Sequence, residues 1–191
     1  MAKIAIFVAN GFEDTEVVAT VDVLRRAEKL FPGSFPVVDI VSINDSKQVK
    51  GAWNIQITAD KLIGEINFSN YDCLVLPGGK EGVDHLKSNE ILMNAVEKHG
   101  KENKIIAAIC AAPQILGKLG LVDGIEITHY PGCDQNLEKA IKKPHMSAIA
   151  DKNIITGSSI GGALQFALQI VDHFTSTEQM LELHQTLVFN Y

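Results

Sequence analysis

The stretch Ile105-Ile106-Ala107-Ala108-Ile109-Cys110-Ala111-Ala112-Pro113 decides how this chain is read. Its first five residues are continuously apolar and partly β-branched, which reads as a strand buried on both faces. Proline is tolerated in the first turn of a helix, where its missing N–H has no partner to lose. A short helix is therefore expected over 111–119. Cys110 sits at the junction, where the chain turns sharply from strand to helix. Small neighbours let such a turn close, and the turn lifts its central side chain above the sheet edge, as in a nucleophile elbow.

Outward from this point the same alternation recurs. Residues 3–9 read as a strand ended by Asn10-Gly11, and 14–31 carry a helical apolar stripe at Val17, Val21, Leu24 and Ala27. Further strands are expected over 35–43, 71–76, 125–129, 146–150 and 154–156, with a weakly alternating hairpin segment at 53–58. Further helices are expected over 90–99, over 134–141 with Asp134 as its cap, and over 161–174. A last helix, 178–187, follows the capping-box spacing of Ser176 and Gln179. Buried strands alternating with helices imply an α/β fold whose mostly parallel sheet is covered on both faces. The 191 residues fit one domain, 1–191.

Composition narrows the function classes. Hydrophobic residues make up 46% and charged residues 21%, which excludes a disordered chain. There are 23 acidic and 17 basic side chains, a net charge of −6. The basic doublets Arg25-Arg26 and Lys142-Lys143 are too short for a phosphate-binding stripe, so neither nucleic acid nor an anionic membrane is an expected partner. The N-terminal apolar run is too short for a signal peptide, and no run reaches the ~18 residues that span a bilayer. Cys73, Cys110 and Cys133 are the three cysteines, without CxxC spacing, so neither a disulfide framework nor a zinc site is expected. A cytoplasmic protein is expected.

In parallel sheets, ligands bind beyond the carboxyl ends of the strands, so the chemistry is sought there. Unpaired N–H groups at a helix N-terminus can lower a thiol from about 8.5 to between about 3.5 and 7.5, which makes Cys110 the candidate nucleophile. Cys73 lies mid-strand and reads as buried; Cys133 follows Pro131-Gly132 in a loop and reads as incidental, with a redox-partner role as the alternative. In Pro77-Gly78-Gly79, paired glycines allow backbone amides to approach a ligand oxygen. Glu13 and Asp14 read as acids favoured at a helix N-terminus. Glu16, in the first turn, would see its pKa rise if it met the Cys110 thiolate. His129 ends a strand and is a general-base candidate; the other five histidines read as surface or helix residues. No histidine spacing suggests a metal site. Gly157–Gly162 lacks both the phosphate-loop lysine and the GxGxxG spacing, and no cofactor is expected.

Four motifs in order resemble the ThiJ/PfpI superfamily, in the branch of the parkinsonism-associated deglycase. They are Asn10–Glu16, Val21–Ala27, Val75–Gly79 and Ala107–Pro113, and the resemblance runs over essentially the whole chain. It implies a flavodoxin-like three-layer α/β/α sandwich. It also implies that Glu16 hydrogen-bonds the reactive Cys110, that Gly78, Gly79 and Ala111 line an oxyanion pocket, and that His129 is the nearby family histidine. The implied activity is glutathione-independent conversion of a small reactive aldehyde, methylglyoxal or glyoxal, to lactate or glycolate, or protein deglycation. The alternative is a non-enzymatic oxidative-stress sensor or chaperone acting through oxidation of Cys110; peptidases occur elsewhere in the superfamily. A homodimer is implied, with Asp22 and Arg26 on the first helix as interface candidates. The chain departs from the branch at Trp53, where an arginine is usual, at Gly157–Gly161, which lacks an arginine, and over 140–146, which is shorter. Class I glutamine amidotransferases share the elbow cysteine but need a His-x-Glu pair, and here Tyr130-Pro131 follows His129.

Overall fold

The computed structural model describes residues 2–188; Met1 and residues 189–191 lie outside them. The strands are β1 (Lys3–Val8), β2 (Val37–Ser42), β3 (Gln48–Lys50), β4 (Gln56–Thr58), β5 (Lys61–Leu62), β6 (Cys73–Leu76), β7 (Ile105–Ile109), β8 (Glu126–Ile127), β9 (Ile141–Lys142), β10 (Ala148–Asp151) and β11 (Ile154–Gly157). The helices are α1 (Asp14–Leu30), α2 (Lys80–Ser88), α3 (Glu90–Lys101), α4 (Pro113–Lys118), α5 (Ala163–Phe174) and α6 (Thr177–Thr186).

Seven strands form one sheet in the order β10-β11-β7-β6-β1-β2-β5. All its pairings are parallel except β10 with β11. The period-two rule explains the layers, because successive side chains of a strand face opposite ways. Ile4 and Ile6 of β1, Cys73 and Val75 of β6, and Ala107 and Ile109 of β7 join one core with Val23, Leu24 and Ala27 of α1 and Phe166 and Ile170 of α5. Ala5, Phe7, Leu74, Leu76, Ile106 and Ala108 face the other way. They pack with Val83 and Leu86 of α2, Leu92 and Val96 of α3, and Ile115 and Leu116 of α4. This is the three-layer α/β/α sandwich with a mostly parallel sheet.

The order also places the site. From β1 the chain first adds β2 on one side, then returns to add β6, β7 and β11 on the other. Strand order thus reverses between β1 and β6, where a crevice opens beyond the carboxyl ends.

Several expected elements differ. Residues 134–140 form turns rather than a helix, and Ile141 belongs to β9: Asn136 is in a left-handed conformation, φ 65°, and Leu137 N–H closes a tight turn onto the Asp134 carbonyl at 3.0 Å. The Asp134 carboxylate does not cap a helix; it binds Lys142 at 3.1 Å. The strand expected over 125–129 shrinks to β8, paired with β9. The expected hairpin is β3 with β4, and Trp53 lies in its connection. Helix α2 was not expected. Gly82 disfavours a helix, but a side chain there would press on the Phe12 backbone at 2.9 Å, so close packing requires it. His99 lies in a helix, α3, on its buried face; its Nε2 lies 3.0 Å from the Tyr71 carbonyl.

Candidate active site

Cys110 occupies a strained elbow. Its φ of 64° is rare for a residue with a side chain and persists only where surrounding contacts impose it. Those contacts are present on both sides. Cys110 N–H donates to the Gly157 carbonyl at 2.9 Å, and the Cys110 carbonyl accepts from Tyr130 N–H at 2.8 Å. Ala112 N–H then closes the turn onto Ile109 at 3.0 Å.

Three strand ends meet at this thiol. Glu16, fully buried in the first turn of α1, accepts from Gly78 N–H through Oε2 at 2.9 Å. A Cβ at Gly78 would lie 2.5 Å from that Oε2 and 3.0 Å from the Cys110 sulfur, so a side chain there would separate the two groups. Glu13 N–H donates to the Gly78 carbonyl at 3.0 Å, and Gly82 N–H to the Gly11 carbonyl at 3.1 Å. These bonds sew the loop after β1 to the loop after β6. Gly79, at φ 89°, has no room for a side chain, because a Cβ would sit 2.6 Å from the Glu13 nitrogen.

The electrostatics follow from burial. Desolvation pushes the Glu16 carboxyl from 4.5 up to about 7, against the pull of Cys110 and the Gly78 amide, with the Glu13 charge adding to the rise. Its Oε1 is buried without a hydrogen-bond partner of regular geometry among the described residues, which disfavours the carboxylate further. The Cys110 thiol is also raised, first by burial, then by the charge and hydrogen bond of Glu16, against the Gly79 and Ala111 amides that favour the thiolate. The expectation of a thiol simply lowered by a helix N-terminus is therefore corrected: beside an ionised Glu16, Cys110 keeps its proton. Two of the raising causes depend on the Glu16 charge, so a proton on Glu16 relieves them. Passing the thiol proton to Glu16 would form the thiolate that the Gly79 and Ala111 amides favour.

The expected site residues separate into groups. Cys110, Glu16, Gly78, Gly79 and Ala111 come together. Within that set the Gly78 amide is engaged by Glu16, leaving the Gly79 and Ala111 amides directed at the sulfur. His129 is turned elsewhere: its Nδ1 lies 2.8 Å from the Tyr130 carbonyl, an acceptor, so Nδ1 carries the hydrogen. Its Nε2 lies 3.5 Å from Asp134 Oδ1. The thiol opens into a cavity of roughly 560 Å³ lined by Glu13, Lys80, Asp84, Lys87, Gln114 and Cys133 among others, and His129 is not part of its wall.

Several of these wall residues were not singled out by sequence. Lys80, Asp84 and Lys87 stand on α2, whose Val83 and Leu86 spacing was its one signal. Glu13 is more than a helix-end acid, since it lines the cavity, accepts from Trp53 Nε1 at 3.1 Å and is raised by burial. Asp14 likewise departs from a simple dipole role: it accepts from Trp53 N–H at 2.9 Å and Ile55 N–H at 3.0 Å, tying the β3–β4 hairpin to α1. Among the described residues no group of three or more ligating side chains could hold a metal ion, and no helix is long and apolar enough to cross a membrane.

Known proteins share this arrangement of chain. Protein DJ-1 homolog B of Arabidopsis thaliana is 34% identical over 97% of this chain, which spans only 41% of that relative's length. Protein dj-1beta of Drosophila melanogaster is 30% identical over the full length of both chains, and its crystal structure superposes with a TM-score of 0.89. A Schizosaccharomyces pombe protein named glutathione-independent glyoxalase DJ-1 is 26% identical over 98% of each chain. The DJ-1/PfpI family matches residues 2–173, a span that takes in all three strand ends at Cys110, and the chain belongs to that family.

Proposed function

We propose that this protein is a cysteine-dependent, cofactor-free glyoxalase acting on methylglyoxal or glyoxal without glutathione. One observation carries the reading: a buried carboxyl raised to about 7 lies beside a thiol at a strained elbow. A general acid–base works best when its pKa lies near the working pH. The glyoxalase name of the S. pombe relative supports it.

The Cys110 thiolate attacks the aldehyde carbon, forming a C–S bond, and the carbonyl becomes an alkoxide facing the Gly79 and Ala111 amides. Protonation gives a hemithioacetal. Glu16, now a carboxylate, removes the hydrogen on C1 and returns it to the C2 carbon, while the proton of the C1 hydroxyl passes to the C2 oxygen. C1 is thereby oxidised to a thioester while C2 is reduced to an alcohol. Water then cleaves the C–S bond, releasing lactate or glycolate and restoring the thiol. His129, engaged with the Tyr130 carbonyl and Asp134, takes no step in this scheme.

The test is lactate formation from methylglyoxal in the absence of glutathione, comparing the native chain with Cys110→Ala. Lactate from the native chain alone is expected. Equal rates from both would overturn the reading.

We also infer that two copies pair through α1. Val18 is 47% exposed, Ile55 52% and Trp53 73%. A groove of roughly 250 Å³ between α1 and the hairpin is lined by Val17, Val18, Val21 and Ile57. Asp22 and Arg26 are paired with each other at 2.7 Å on the same helix, at the edge of that surface.

A further inference from the structure

Two of the three cysteines line the same cavity. Cys73 is fully buried in β6, between β1 and β7, and no oxidant or thiol reaches it. Cys110 and Cys133 are both partly exposed, both free, and both border the active-site cavity. They also pack against the same apolar core.

The backbone between them is short and anchored. Tyr130 N–H donates to the Cys110 carbonyl at 2.8 Å, and Cys133 N–H donates back to the Tyr130 carbonyl at 3.0 Å. Tyr130-Pro131-Gly132-Cys133 is thus a hydrogen-bonded turn with one foot on the elbow. Proline second and a positive-φ glycine third, here Gly132 at φ 86°, is the arrangement of a type II turn, whose ends lie within about 7 Å of each other. The turn's tip is free: a Cβ on Gly132 would meet no atom within 4 Å. A disulfide needs Cα atoms within about 7 Å, and Cys133 stands one tight turn from the residue whose N–H is bonded to the Cys110 carbonyl, on the wall of the cavity into which the sulfur opens.

We propose that Cys133 is the resolving thiol for Cys110, so that a peroxide closes an intramolecular disulfide across the active-site cavity. In the first step the Cys110 thiolate attacks a peroxide oxygen. The O–O bond breaks, and the departing hydroxide takes the proton held by Glu16, giving water and a sulfenic acid. In the second, the Cys133 sulfur attacks the Cys110 sulfur, the S–O bond breaks, and the hydroxyl leaves as water with the Cys133 proton. The peroxide is the oxidant and is reduced to water; the two thiols supply both electrons. The disulfide occupies the nucleophile and bars the cavity until a dithiol reduces it. It also intercepts the sulfenic acid before further oxidation, a step that thiols do not reverse.

This inference rests on Cys110 being a reactive thiol and not on glyoxalase turnover, so the test reads mass rather than activity. The full chain, reduced and freed of reductant, is treated with a small excess of hydrogen peroxide and its intact mass recorded. The expected product is lighter by about 2 Da, carries a Cys110–Cys133 cross-linked peptide and returns to the starting mass with dithiothreitol. Cys133→Ser and Cys133→Ala, two replacements of similar size, are expected instead to gain about 32 Da at Cys110. A native chain that gains about 32 Da without the lighter species overturns the proposal. So does a chain that stays unmodified, or one that links through Cys73 or between two copies on a non-reducing gel.

Discussion

Glu16 and Cys110 are each raised by burial, and each is the other's main electrostatic neighbour. Replacing Glu16 by glutamine removes the charge that holds the proton on sulfur but also removes the group that shuttles it. Turnover of Glu16→Gln should fall about 10²–10⁴-fold, while iodoacetamide alkylation of Cys110 at neutral pH should be no slower than in the native chain. Alkylation that slows along with turnover would show that Glu16 activates the thiol rather than moving a proton. The same raised carboxyl links stability to pH. The folded chain binds the Glu16 proton more tightly than the unfolded chain, so its contribution is complete below pH 4.5 and lost as pH rises through about 7. The loss amounts to roughly 3 kcal/mol. Urea unfolding of the native chain and Glu16→Gln, each at about pH 4.5 and about pH 8, should show this decline in the native chain alone. Parallel curves would contradict it.

Short elements hold the site in place through backbone bonds more than through their own propensity. The β3–β4 hairpin pairs over three residues on each side, too little for independent stability. It is held at the head of α1 by the buried Asp14 carboxylate, which accepts from both Trp53 and Ile55. Asp14→Ala leaves two backbone donors without their acceptor and should cost about 2–4 kcal/mol, seen as a thermal midpoint lower by several degrees. Asp14→Asn keeps one acceptor oxygen and should cost less. Equal midpoints for all three proteins would mean that other contacts hold the hairpin. At this scale the sequence was most legible where elements are long. The α1 stripe and the Ser176–Gln179 capping box of α6 appear as expected. The stretch 134–141 had helical composition without a partner for a helical face, and only Leu137 within 134–139 is fully buried.

At the scale of the whole molecule, the apolar surface of α1 and the hairpin carries the dimer inference. Val18 is exposed on the outer face of α1, so a charge there should not disturb the core. Val18→Glu is expected to sediment as a monomer at concentrations where the native chain sediments as a dimer, with a thermal midpoint of the separated monomer that remains a single cooperative transition. A native chain that is monomeric throughout the range would remove the basis for this pairing. The hairpin that contributes to this surface also carries Trp53, which donates to Glu13 at the cavity wall, so pairing and the cavity share one edge of the molecule.

Local patterning determined much of this protein. Continuous apolar runs specified β1, β6 and β7, helical periodicity specified α1 and α5, and Ile109-Cys110-Ala111-Ala112-Pro113 specified the elbow. These are properties of neighbouring residues, because strand and helix side chains repeat over two and 3.6 positions. The tertiary structure decided which strand ends became neighbours. Glu16 and Gly78 are 62 positions apart, and their meeting follows from the return of the chain across β1, which no local period encodes. From the residues alone Glu16 was one acid of three at a helix start; only family resemblance joined it to Cys110. Burial between three strand ends raises its pKa and distinguishes it from Asp14, which the hairpin engages. Likewise, Cys133 read as a loop thiol, and only the folding of that loop against the elbow puts it on the cavity wall.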